Sequence, residues 1–323
     1  MSSLLTNASA MTALQTLTAT NKNLSSVQNR ISTGMRVSTA SDNAAYWSIA
    51  TTMKSDNAAL SAVKDAIGLG AATIDTMYTA LDTTKEIVTE IKKKLVAARD
   101  AGVDRAKVQT EITDLQNQLK ASASSAVFNG ENWLDVDSSA TAYNATRAVV
   151  ASFSRAGGAV TIDKIDIDIS KMHLFDANGQ VGLYDEALED DTGTAYTFTA
   201  VTQRTGTAGA KISVFTFDIS GVTNAAADLT ELENVTKGVD AVLNQLTDSA
   251  SYLGSIKKRV DIQNDFVTAL SDAITRGVGQ LVDANMEEES TKLQALQVQQ
   301  QLGIQALSIA NSSMQNVLSL FRG

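Results

Sequence analysis

The chain has 323 residues and a mass of 34.1 kDa, enough for roughly two average domains, and its 44% apolar content is enough to bury a core. It has no Cys, no Pro, a single His (His173) and 5% aromatics, which excludes disulfides, thiol nucleophiles and Cys-based metal sites and leaves at most one imidazole for catalysis. With 26 basic against 36 acidic residues the net charge is −10, and no run of 18 apolar residues occurs, so neither nucleic acid nor membrane insertion is expected.

The N-terminus, Met1-Ser2-Ser3-Leu4-Leu5-Thr6-Asn7, lacks the basic and apolar regions of a cleaved secretory signal, so the chain is expected to be cytosolic or to leave by a route that reads no such signal. Leu14, Leu17, Leu24, Val27 and Ile31 predict a first helix, ended by Ser32-Thr33-Gly34 and the polar stretch Ser38 to Asn43. From Tyr46 to Ala98 an apolar stripe recurs every third and fourth residue, through Ile49, Met53, Leu60, Val63, Ile67, Ile74, Met77, Leu81, Val88, Ile91 and Leu95. That 3.5-residue period predicts one long helix. The lack of proline agrees, because proline removes a helix bond and clashes with the preceding turn. Val108, Ile112, Leu115 and Leu119 mark a shorter helix, capped by Asp104.

The middle, about 138 to 227, reads as β: Ile165 to Ile169 alternates, Tyr196 to Val201 and Ile212 to Ile219 are β-branched and aromatic, and Gly157-Gly158, Asn178-Gly179, Gly193, Gly206 and Gly221 punctuate them. A second long stripe runs from Leu232 through Val239, Leu246, Leu253, Val260 and Val267 to Ile274. The pattern then slips by one residue near Gly277 and Gly279, where a joint is expected, and continues through Val282, Met286, Glu289, Leu293, Leu296, Gln300, Gly303, Leu307, Ala310, Met314, Val317 and Phe321. Helices of this length extend about 70 to 85 Å at 1.5 Å per residue. The fold class is therefore mainly α with an inserted β-rich domain: a long antiparallel coiled-coil rod from the N- and C-terminal regions, with a small β-domain at its tip.

The terminal helices carry almost no charge. Residues 1–41 contain only Lys22, Arg30 and Arg36 as charged side chains, and residues 290–323 only Lys292 and Arg322. An exposed amphipathic helix keeps a charged face, so these helices are read as packing together and against copies of themselves. The alternative is a single amphipathic hairpin within a monomer. Other candidate features carry less. Asp163, Asp166 and Asp168 lack an EF-hand Gly and fit a solvated strand face, and His173 fits a surface or partly packed residue. Gly68-Leu69-Gly70 lacks the third glycine of a dinucleotide fingerprint, and the Lys92 to Lys94 and Glu287 to Glu289 runs read as solvated faces. No cofactor, metal or catalytic residue is expected.

Leu24-Ser25-Ser26-Val27-Gln28-Asn29-Arg30-Ile31-Ser32-Thr33-Gly34-Met35-Arg36-Val37, followed by Ala40-Ser41-Asp42-Asn43-Ala44-Ala45, resembles the N-terminal motif of bacterial flagellins. Phe128-Asn129-Gly130 resembles the family's hairpin after its third helix. Ala306-Leu307 through Ala310-Asn311 and on to Gln315-Asn316-Val317-Leu318-Ser319-Leu320-Phe321-Arg322 is similar to its C-terminus. The likeness covers about 1–137 and 228–323, and Tyr46-Trp47 with Glu287 to Glu289 is most similar to the alpha-proteobacterial, rhizobial branch.

The resemblance implies a structural subunit, not an enzyme, that leaves the cell unfolded through the flagellum's own channel and joins an extracellular filament for swimming. It implies three parts: an inner domain of terminal helices (1–45 and 280–323), a rod (46–137 and 228–279) with a hairpin near 128–134, and a variable outer β-rich domain (138–227). Contacts between copies fall to Leu14, Leu17, Leu24, Val27, Ile31, Leu293, Leu296, Leu307, Met314, Val317 and Phe321. Gln294, Gln297, Gln301, Gln305, Ser308 and Asn311 line the central channel. Implied partners are the chain itself in an open helical homopolymer, sister flagellins, the export apparatus with a secretion chaperone, the filament cap and hook-associated proteins.

Two departures from the family pattern bear on immune recognition. Glu90, Lys93 and Lys94 stand where many flagellins present Arg and Glu-Leu to the vertebrate Toll-like receptor, and Ser41 and Asn43 stand where the plant-sensed segment usually has Lys and Asp; weak recognition is expected at both. A hook–filament junction protein and a cytosolic coiled-coil scaffold are the competing readings. The first accounts less fully for the match through Phe128 and the final Asn-Val-Leu-Ser-Leu, the second for the nearly charge-free ends.

Overall fold

Asn7 starts the first helix, and its chemistry shows why the helix begins there: its extended backbone leaves the side-chain Oδ1 free to accept the Ala10 N–H at 3.0 Å. The structure is a computed structural model that describes residues 7–141, 143–156, 159–177, 182–189, 195–203 and 212–320, with the backbone alone for 156, 203 and 314–320. Its helices are α1 (Ala8–Thr33), α2 (Ala44–Ala97), α3 (Arg105–Ser125), α4 (Ala226–Val282) and α5 (Met286–Leu320). Between α3 and α4 lie the short strands β1 (Asp135–Val136), β4 (Phe175–Asp176), β5 (Thr202–Gln203) and β6 (Phe217–Asp218), and the longer β2 (Thr146–Ala156) and β3 (Ala159–Asp168). The expected plan, mainly helical with a β-rich insertion, is the observed one. Of the glycines expected to punctuate the insertion, 157, 158, 179, 193 and 206 lie outside the described residues, as does Asn178.

The chain divides into two compact units, residues 1–59 with 270–323 and residues 60–269. In the first, α1 and α5 run antiparallel. Asn7 Nδ2 donates to the Ala310 carbonyl (3.1 Å), Gln300 Nε2 to Asn21 Oδ1 (2.8 Å), and Arg30 pairs with Glu289, so partners fall along α5 as they rise along α1. Gly34, in the left-handed region at φ 71°, stops α1. The segments after α1 and after α4 then hold one another: Arg36 and Val37 donate N–H to the Val282 carbonyl, and Ala284 donates to that of Gly34. Val37, Ala50, Val278 and Val282 form a small core there.

Two expectations change in this unit. The joint lies at 283–285 rather than at Gly277 and Gly279, which α4 absorbs. Asn285 breaks the helix by capping α5, its Oδ1 accepting the Glu287 N–H at 3.1 Å, while Gly277 makes room for Met53. At the start of α2 the buried position is Ala50, and Tyr46 and Ile49 are exposed.

In the second unit the two long helices are antiparallel. Asp75, Lys92 and Arg99 pair with Lys257, Asp240 and Glu233; each step up one chain segment, seventeen residues and then seven, is matched by the same step down the other. Behind these pairs Ile67, Ile74, Met77, Leu81, Val88, Ile91 and Leu95 of α2, and Leu232, Val235, Val239, Leu246 and Leu253 of α4, are buried as the period predicts. Each lysine of the Lys92 to Lys94 run has a partner, contrary to the reading as a solvated face: Lys92 with Asp240, Lys93 with Glu90 and Lys94 with Glu111.

α3 begins at Asp104 as expected, the carboxylate accepting the Ala106 N–H. It buries a different stripe, however: Arg105, Gln109, Ile112, Gln116, Leu119 and Ala123, with Val108 and Leu115 only half-buried. The polar members explain why the segment expected as a strand at 196–201 forms none, β5 following it at Thr202–Gln203, and why that at 212–219 keeps only β6 at Phe217–Asp218. Gln116 donates to the carbonyls of Val214 and Phe217, Gln109 accepts the Ile219 N–H, and Glu231 of α4 accepts those of Thr199, Ala200 and Val201. Helix side chains thus supply the hydrogen bonds that a sheet ladder otherwise would.

β2 and β3 form an antiparallel ribbon. It seats on α2 at Gly70, where an added Cβ would stand 2.2 Å from Val149 Cγ1, which accounts for a glycine inside a heptad helix. The hairpin near 128–134 is present as a tight two-residue turn: Phe128 and Glu131 exchange backbone hydrogen bonds of 3.0 and 2.9 Å around Asn129 (φ 50°) and Gly130 (φ 80°).

Candidate assembly surface

α1 and α5 each present two chemically distinct sides. The inner side of α1 carries Leu17, Thr20, Leu24, Val27 and Ile31, and that of α5 carries Glu289, Leu293, Leu296, Gly303 and Leu307, all buried or half-buried. The helices come close at Gly303, where a Cβ would meet Leu17 Cδ1 at 3.3 Å. Glu289 is only 4% exposed and shares its carboxylate between Arg30 at 3.3 Å and Lys292 at 3.8 Å. The Glu287 to Glu289 run is therefore not one solvated face: its third member is a buried ion-pair partner.

The outer side keeps large apolar residues in water: Met11 and Leu14 on α1, and Val298, Leu302, Ile304 and Ile309 on α5, each more than half exposed. Val298, Leu302 and Ile309, spaced by four and seven residues, fall in one strip of α5. Beside it Gln294, Gln297, Gln301, Gln305, Ser308 and Asn311 make an exposed strip of neutral polar groups. On α1 the hydroxyls of Thr12, Thr16 and Thr18 donate to the carbonyls four residues earlier, at 2.8–3.0 Å. A hydroxyl already bonded within its own helix loses little when water is removed, so this face is cheap to bury.

Of the residues expected at contacts between copies, Leu17, Leu24, Val27, Ile31, Leu293, Leu296 and Leu307 sit on the inner sides of α1 and α5, and Leu14 on the outer side. The side chains of Met314 and Val317, and the whole of Phe321, lie outside the described residues. The sequence reading passed over Met11 and Val298; their signal was apolar character off the main stripe.

Residues 4–139 match the model for the bacterial flagellin N-terminal helical region, and residues 236–321 that for the bacterial flagellin C-terminal helical region. The chain belongs to the bacterial flagellin family. It is 49% identical to flagellin C of Rhizobium meliloti strain 1021 and 43% identical to flagellin A of Rhizobium meliloti, and 45% identical to a flagellin of Brucella melitensis biotype 1, over the full length of both chains in each case. As a flagellin of rhizobial type, it is a structural subunit of the bacterial flagellar filament.

The positions expected to depart from the usual flagellin pattern are engaged within the chain. Glu90 and Lys93 bridge at 3.0 Å, and Lys94 pairs with Glu111 of α3, whose hydrogen bond pushes the lysine's pKa up. In the loop before α2, Asn43 Oδ1 accepts the Tyr46 N–H at 3.1 Å, and Ser41 Oγ lies 2.7 Å from Thr39 Oγ1. Asp42 organises this loop: its carboxylate accepts from the backbone and hydroxyls of Thr39 and Ser38, which hold its pKa below the usual carboxylate value.

Proposed function

We propose that copies of this chain join through the outer sides of α1 and α5 into an open helical filament. The observation that supports this reading is the exposure of Met11, Leu14, Val298, Leu302 and Ile309 on two helices that already bury their other sides in each other. The seam residues, Leu17 to Ile31 and Leu293 to Leu307, hold the helix pair within one copy so that it meets its neighbours as a unit. Met314, Val317 and Phe321 extend the contact toward the C-terminus, and head-to-tail contacts of this kind form a helix when they do not close into a ring. The neutral strip from Gln294 to Asn311 lines the channel, where uncharged polar groups wet the lumen without holding a passing chain.

The three-part division also belongs to this reading: 1–45 with 280–323 inside, 46–137 with 228–279 as the rod, and 138–227 outside. The two family matches flank a middle segment as that division requires. The chain is secreted through the flagellar export apparatus with a chaperone, joins a filament bounded by hook-associated and cap proteins, alone or with sister flagellins, and works by packing rather than catalysis. Glu90, Lys93, Lys94, Ser41 and Asn43 make it a weak agonist of flagellin receptors, read by reporter cells given purified monomer. Electron microscopy and mass spectrometry of filaments sheared from the cell surface test the main reading. Long polymer made of this chain is the expected result, and its absence from the surface rejects the proposal.

A further inference from the structure

The turn that closes the hairpin after α3 places a reactive pair in open solvent. Asn129 and Gly130 are its two central residues, both exposed and both at positive φ. The sequence has one other Asn-Gly, at 178–179, which lies outside the described residues. Among the described asparagines outside the helices, Asn129 alone leaves its side chain unbonded. Asn7, Asn43, Asn132, Asn144 and Asn285 each accept a backbone N–H through Oδ1, and Asn224 accepts from the Arg105 guanidinium. The Gly130 N–H is likewise without a partner, and a Cβ built at 130 would meet no atom within 4 Å. A free carboxamide therefore sits next to a backbone nitrogen that no side chain shields.

We infer that Asn129 is a site of spontaneous deamidation and that the closed hairpin sets its rate. Hydroxide removes the Gly130 amide proton, and the nitrogen attacks Asn129 Cγ. A bond forms between them, Nδ2 leaves as ammonia with protons from water, and a succinimide ring results. Water then opens the ring at one of its two carbonyls. Cleavage of the new bond to Cγ gives aspartate on the original backbone. Cleavage of the original peptide bond gives isoaspartate, in which the main chain runs through the side chain and is one methylene longer. No oxidant or cofactor is needed.

The fold controls the first step. Ring closure swings the 129–130 peptide out of the turn, yet the paired hydrogen bonds between Phe128 and Glu131, 3.0 and 2.9 Å, hold that peptide in place. The turn must open before the ring can close. Below the tip the hairpin is anchored: Asn132 Nδ2 donates to the Ala123 carbonyl at 2.8 Å, Asn132 Oδ1 accepts the Leu134 and Asp135 N–H groups, and Trp133 is buried. Opening is thus a local event at the tip, separate from unfolding of the rod helices. The two products differ in consequence. Aspartate tolerates the left-handed region and keeps the turn with one added negative charge. Isoaspartate lengthens the main chain inside a two-residue turn, so the paired bonds cannot re-form and the tip stays open.

Time-resolved peptide mapping by mass spectrometry tests this on the full-length monomer, incubated at one pH and temperature with and without denaturing urea; chromatography separates aspartate from isoaspartate. Both products are expected at 129 in the folded chain, forming about ten-fold more slowly than in urea. Asn132→Ala, which removes the anchor, is expected to speed the folded-state reaction by at least about three-fold and to leave the rate in urea unchanged. A folded chain that keeps Asn129 intact while the urea sample converts completely overturns the site. Equal rates in the folded and urea samples, or a folded Asn132→Ala chain that reacts no faster than the parent, overturn control by the hairpin.

Discussion

Arg30 of α1 donates to Glu289 of α5 across 3.3 Å in a seam where the glutamate is almost wholly shielded from water, and this is the one ion pair among the described residues that ties the two terminal helices together. Removing one partner leaves the other charge poorly compensated. A fully buried pair costs about 3–5 kcal/mol to break in this way. Arg30 keeps 36% of its side-chain exposure and Lys292 also reaches the carboxylate, so Arg30→Ala or Glu289→Ala is expected to cost about 1–2 kcal/mol in urea unfolding of the monomer. The double variant Arg30→Met, Glu289→Leu is expected to recover most of the loss. Single variants as stable as the parent would show that the pair contributes nothing.

Gly70 and Val149 make a second, sharper prediction. Alanine at 70 favours the helix by about 1 kcal/mol, but its methyl stands 2.2 Å from where Val149 Cγ1 now sits, and overpacking a stiff β-branched neighbour costs about 1–3 kcal/mol. Gly70→Ala alone is therefore expected to destabilise, and adding Val149→Ala to reverse the sign. A double-mutant cycle with no coupling would contradict the close approach of β2 to α2.

The segment at 199–201 is held by a carboxylate, so its attachment depends on pH. Burial by itself raises the Glu231 pKa, but hydrogen bonds from the Thr199 hydroxyl and from the N–H groups of Val201, Ala200 and Thr199 outweigh it and leave the value below the ordinary 4.5. A depressed carboxylate pKa gives stability that is present above the unfolded value and lost as pH falls through the folded one. Amide protection at Thr199 to Val201, taken relative to the intrinsic exchange rate at each pH, is expected to be high at neutral pH and to be lost as pH falls below the ordinary glutamate value of 4.5 and through the lowered folded one. Glu231→Gln is expected to speed that exchange already at pH 7. Protection that persists at pH 2 would place the anchor elsewhere.

The long-period elements were legible because burial in an antiparallel helix pair follows 3.5-residue spacing, and the large apolar residues of the stripes from Ile67 to Leu95 and from Leu232 to Leu253 are all buried. Two of the failures share one cause: polar side chains that act as backbone partners. Gln109 and Gln116 lie off the apolar stripe that marks α3, yet they satisfy carbonyl and N–H groups of 214–219, and the apolar run from Ile212 to Ile219 consequently stays mostly out of a ladder. Asn285 moved the joint in the same way, by capping a helix a few residues beyond the glycines. At the terminal helices the weak charge was legible. Which apolar residues face the partner helix and which face outward was not, because Leu14 and Leu17 both belong to plausible stripes until the position of Gly303 selects Leu17.

Outward-facing residues should matter to the polymer and not to the subunit. Leu302→Ser with Ile309→Ser is expected to leave monomer stability within about 0.5 kcal/mol, as for other exposed substitutions, while abolishing or sharply slowing polymerisation followed by light scattering. Leu24→Ser with Leu296→Ser, on the inner sides, is expected to loosen the monomer itself, read as faster amide exchange along α1. Equal effects of the two pairs on the monomer would erase the distinction between inner and outer sides.

The most direct measurement is an electron cryomicroscopy map of filaments assembled from this chain alone. The account predicts that Met11, Leu14, Val298, Leu302 and Ile309 are buried between neighbouring copies, with Gln294, Gln297, Gln301 and Gln305 facing the central channel. A map in which those apolar side chains face solvent, with subunits joined through other surfaces, would contradict it.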